Sequence, residues 1–80
     1  MTQIPEEIDA LLEKMIVQQR AKVFDIACSL CSRITQDDLL NPQDFPELAG
    51  DLRFGHEDGV LTGLLSAQIS VRAEFRREAS

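Results

Sequence analysis

The sequence predicts an all-α fold: an antiparallel helical hairpin with a short irregular, helical-turn connection, dimerising into a four-helix bundle. Three observations lead there. Apolar residues recur at steps of three and four through both end segments. Pro42 and Pro46 punctuate only the middle of the chain. A chain of 80 residues, read as one domain over 1–80, leaves about 40% of its unfolded surface exposed. Small chains therefore lean on disulfides, metals or partner subunits.

Helix 1 is expected over about residues 5–34. Pro5 fits a first helical turn, where its missing N–H costs nothing. Glu6, Glu7 and Asp9 complement the positive helix N-terminus. The next proline or glycine is Pro42. Ile8, Leu12, Met15, Val23, Ile26 and Leu30 form the expected core stripe, with Gln19 as its one polar gap. Leu11, Ile16, Ala27 and Ile34 flank it. A second stripe, Ala10, Val17, Ala21, Phe24, Cys28 and Cys31, lies on the opposite side. Two apolar faces on one long helix predict burial on both.

The acidic connection covers about 35–55. Thr35 is placed to cap a turn from Asp37 to Leu40, with Asp38 as its acidic partner. Pro42 and Pro46 push Asn41 and Phe45 towards extended backbone. Pro46 to Ala49 suits one helical turn stopped by Gly50. Leu39, Leu40, Phe45, Leu48, Leu52 and Phe54 are too apolar for a free linker, so this segment should cover one end of the hairpin.

Helix 2 is expected over about 56–77, starting near His56 to Asp58 with acids in its first turn. Val60, Leu64, Ala67, Val71 and Phe75 form its core face, and Leu61, Leu65 and Ile69 widen the arc. Gly59, Gly63, Ser66 and Ser70 form a stripe of small side chains that suggests a tight helix crossing.

The net charge is −6, and the stretch 35–58 alone carries seven acids against Arg53. Phosphate binding needs clustered Lys and Arg, so nucleic acid is disfavoured as a partner. A basic protein could meet the acidic stretch. The longest uncharged run in the final segment, Gly59 to Val71, is shorter than the ~20 residues of a membrane span. Two cysteines without a secretory leader point to the cytoplasm.

Chemistry finds little support. Cys28 and Cys31 form a CxxC late in helix 1, away from the helix N-terminus that activates such thiols. A zinc site would need two more ligands, and His56 is the only histidine. Glu57 and Asp58 follow it directly, so the three side chains diverge on a helix. No catalytic or nucleotide-binding motif occurs, and no cofactor is expected. The sequence therefore reads as a non-enzymatic interaction or adaptor module acting as a homodimer. The interface expected is Val17, Phe24, Cys28, Cys31, Leu61, Leu65 and Ile69. The alternative is a metal- or redox-responsive protein using Cys28, Cys31 and His56.

Overall fold

A computed structural model describes residues 4–79. It is 84% helical without strands among the described residues. Helix α1 spans Glu6–Leu30, two 3-10 turns follow at Asp37–Leu40 and Pro42–Asp44, a single turn α2 at Pro46–Ala49, and helix α3 at Leu52–Ala79. The two long helices pack against each other as the expected hairpin, in a body 47 × 20 × 19 Å.

The start of α1 follows the sequence. The Pro5 carbonyl accepts from the Ile8 and Asp9 amides, both at 3.0 Å, and Glu6, Glu7 and Asp9 occupy the first turn. Its end does not. The helix stops at Leu30, four residues before the expected Ile34, and Cys31 takes extended backbone at φ −145°, ψ 100°. No proline or glycine forces this. The turn instead carries Ile34 into the core, where it is 5% exposed. Burying a side chain of that size is worth about 1.5–3 kcal/mol, more than continuing a frayed helix end.

The connection folds as its residues dictate. The Thr35 amide donates to Asp38 Oδ2 at 2.9 Å, and the Asp38 amide donates back to Thr35 Oγ1 at 3.3 Å. That is the reciprocal cap the spacing predicts. Phe45, ahead of Pro46, is extended at φ −118°, ψ 102°. Leu48 then points inward and is 1% exposed, so this short turn is pinned to the core.

Helix α3 begins at Leu52, four residues before the expected start. The signal missed is Asp51. Its Oδ1 accepts from the Phe54 amide at 2.7 Å, the bond of an N-cap, and its first turn holds no acid. The early start places Phe54 on the inner face, buried at 3%.

The small-residue stripe is a second correction. Beyond the helix's own local backbone, no atom lies within 4 Å of a Cβ built on Gly59 or Gly63, and Ser66 and Ser70 are exposed. The stripe faces away from α1, so it makes no tight crossing within the chain. A helix-interior glycine with open space around it carries only its entropic cost. Gly63→Ala is therefore expected to raise the melting temperature by about 2–8 °C for a gain of roughly 0.5–1 kcal/mol. A lower melting temperature would mean that something packs on this position.

The core is confined to one half of the hairpin. Its buried apolar members are Ile16, Val23, Ile26, Ala27, Cys31, Ile34, Leu48, Phe54 and Leu61. All of them lie in the half closed by the connection. In the open half, from Ile4 through Met15 of α1 and from Thr62 onward in α3, the buried residue among those described is the polar Gln68.

Candidate functional site

Polar pairs set how α3 lies on α1. Near the connection, Gln19 Nε2 donates to the Glu57 carbonyl at 2.8 Å and to its Oε1 at 2.9 Å. Lys22 Nζ sits 3.2 Å from Glu57 Oε2. The polar gap in the helix 1 stripe is thus a cross-helix clamp. In the open half, Gln68 Nε2 donates to Glu13 Oε2 at 2.7 Å. Arg72 Nε donates to Asp9 Oδ1 at 2.9 Å, and its Nη2 lies 3.6 Å from Glu13 Oε2. Asp9 above all holds the Arg72 guanidinium above its usual pKa.

The hydrogen bond from Gln19, then that from Lys22, lowers the pKa of Glu57. A carboxyl whose pKa is depressed on folding stabilises above its unfolded pKa and loses that contribution as pH falls through the folded value. Stability should accordingly decline on acidification below the ordinary carboxylate range. The decline should be shallower in Glu57→Gln. Urea midpoints of both proteins from neutral to acid pH measure this, and parallel curves would remove the clamp from the account.

These pairs also define two broad faces. At about 100° per residue, Gln19 and Lys22 flank one side of the α1 contact line, and Asp9 and Glu13 the other. On the Asp9 side the connection is laid over the lower hairpin. Leu39 and Phe45 pack on the core there, as do Phe24, Cys28 and Leu65. A hollow of about 220 Å³ lies between Leu39, Leu40, Val23 and Leu61.

That placement alters the expected interface. Cys31 and Leu61 are buried in the chain's own core, and Phe24, Cys28 and Leu65 are half-buried against it. Of the seven expected positions only Val17 and Ile69 are largely exposed, at 58% and 65%. The second stripe of α1 is thus divided: Phe24, Cys28 and Cys31 pack within the chain, whereas Ala10, Val17 and Ala21 stay exposed.

The other face is the open one. Ile8, Leu11 and Met15 lie on the Gln19 side of α1, and Val60, Leu64, Val71 and Phe75 on the matching side of α3. Ile8 is 46% exposed, Leu11 56%, Met15 41% and Val60 38%. Leu12, Leu64, Val71 and Phe75 are half-buried. Sequence periodicity places Ile8, Met15 and Val60 in the core. The structure turns α1 so that Ile16, expected on the flank, is the buried residue at 2%. At the open end Ile4, Ile69 and Phe75 line a hollow of about 480 Å³ with Arg72 and Arg76. Arg72 is already matched there by Asp9 and Glu13.

Both cysteines are free thiols. Among the described residues no three His, Cys, Asp or Glu side chains gather where one ion could sit, so Cys28, Cys31 and His56 do not form a metal site there. His56 is exposed on α3. The acids of the connection are divided. Asp38 caps the Asp37–Leu40 turn, Asp51 caps α3 and Glu57 clamps α1. Asp37, Asp44 and Glu47 are exposed. No helix among the described residues is long and apolar enough to cross a membrane. No protein-family model, curated protein or solved structure matches the chain.

Proposed function

We propose that this chain is a non-enzymatic protein–protein interaction module that works as a homo-oligomer, with a dimer as the simplest form. One observation carries the reading. Half of the hairpin is built without an apolar core of its own, while Ile8, Leu11 and Met15 stand exposed along it. A contiguous apolar face of this kind on a small protein marks an association surface, and two-fold dimers are the commonest way to cover one. The exposed Asp37, Asp44 and Glu47 offer a separate acidic edge to a basic protein partner, where charge would speed encounter. A reducing cytoplasmic setting suits the two free thiols.

Light scattering on the purified chain at tens of micromolar tests the reading. A dimer mass supports it. A strict monomer that also retains no protein in pull-downs would end it.

A further inference from the structure

We infer that a second copy of this chain covers the Ile8, Leu11, Met15 and Val71 face by lying antiparallel across the open half of the hairpin, pairing each Glu7 with the partner's Lys14. This inference rests on the homo-oligomer reading and specifies its surface and register.

The seam comes first. Ile8, Leu11 and Met15 are spaced three and four residues apart on an exposed strip of α1, the alternation by which one helix meets another. Glu7 and Lys14 lie one heptad apart on the outer edge of that strip, the edge away from α3. Both are exposed, and neither makes an ion pair among the described residues. Leu12 and Gln19 hold the inner edge and are half-buried towards α3.

Charge then selects the register. A two-fold axis across the face sets α1 antiparallel on its copy. One apolar register brings Ile8 against the partner's Leu11, twice by symmetry. Outer-edge positions then meet as Glu7 with the partner's Lys14, twice by symmetry, offset by only about 3 Å along the axis. The next register brings Leu11 against the partner's Met15. It sets Lys14 beside the partner's Lys14, a like-charge contact. The first register is the self-complementary one.

The same axis crosses α3 near Val71, because Asp9 pairs with Arg72 and Glu13 with Gln68. The small Ala67 then faces the partner's Phe75. The overlap falls on the half of each chain that lacks its own core, and the acidic connections project from opposite ends. Each hairpin is 47 Å long. With the axis about 10 Å from the open end, the dimer should be about 75 Å long.

Sedimentation equilibrium on the full chain at tens of micromolar, with circular dichroism to check folding, tests this. Leu11→Asp should weaken the dimer more than about 30-fold while helicity is kept, because the residue sits on exposed helix surface and enters the interface twice. Val17→Asp, on the opposite face, should change the dissociation constant by less than about twofold. Glu7→Lys and Lys14→Glu should each weaken the dimer about tenfold, and the double exchange should restore it. X-ray scattering should give a particle near 75 Å rather than 50 Å. A wild-type dimer indifferent to Leu11→Asp, or broken by Val17→Asp instead, overturns this face and register and leaves the homo-oligomer reading standing. A double exchange no better than the single ones overturns the register. A wild-type monomer overturns this inference and the homo-oligomer part of the proposed function.

Discussion

Leu48→Ala is expected to destabilise the protein by roughly 2–5 kcal/mol, towards the upper end of that range. The side chain is 1% exposed and comes from a single helical turn between Pro46 and Gly50. Such a turn has no stability of its own, so the core cannot shrink around the gap by moving a rigid helix. The whole domain has on the order of 4–12 kcal/mol to lose. The variant should therefore melt far below the wild type, with much of the chain unfolded at moderate temperature. Leu40→Ala is the matched control. It lies in the same connection, is 77% exposed, and should change stability by less than about 0.5 kcal/mol. Urea titrations of the two variants decide the matter. Equal losses would show that the connection does not seal the core through Leu48.

Ile16→Ala is the second large effect, with an expected cost of about 2–4 kcal/mol. Its neighbour Met15 gives the contrast. Ile16 is 2% exposed and Met15 41%. Met15→Ala should cost about 1 kcal/mol or less in the separated chain, where no cavity opens. If Met15 is covered by a second copy, its stability loss should depend on protein concentration, as expected when association and folding are linked. The loss for Ile16 should persist at every concentration. Thermal melts of both variants over a hundredfold dilution range separate the two behaviours. A larger loss for Met15 than for Ile16 at high dilution would mean that α1 is rotated from the orientation described.

Much of the architecture is legible in residue types. Helicity follows from long stretches free of proline. Thr35 and Asp38 announce their reciprocal cap, and Pro46 announces the extended Phe45. Leu39, Phe45, Leu48 and Phe54 fold back onto the core as the apolar content of the connection implies, while Leu40 and Leu52 stay exposed at 77% and 90%. What escapes is less local. Asp51 is a cap only because α3 begins at Leu52, and four following residues, including Gly55, look equally suited to a loop. The candidate surface was half visible. Ile8, Met15 and Val60 are apolar at helical spacing, and that spacing is the same for a residue facing α3 and for one facing outward.

By itself the sequence determined that this chain is helical, where its connection turns, and that its apolar surface spreads over a wide arc of both helices. Those are properties of single rods and short turns, set by backbone sterics and side-chain hydrogen bonds within a few residues. Only the tertiary structure decided how far α1 is rotated, that Cys31 leaves the helix so Ile34 can be buried, and that the core fills just the closed half. Rotation and filling depend on cross-helix pairs such as Gln19 with Glu57 and Asp9 with Arg72. They depend also on the connection lying beside Val23, Leu61 and Leu65 rather than over Leu11 and Met15. Such contacts join residues up to 63 positions apart, and helical periodicity within one segment cannot encode them.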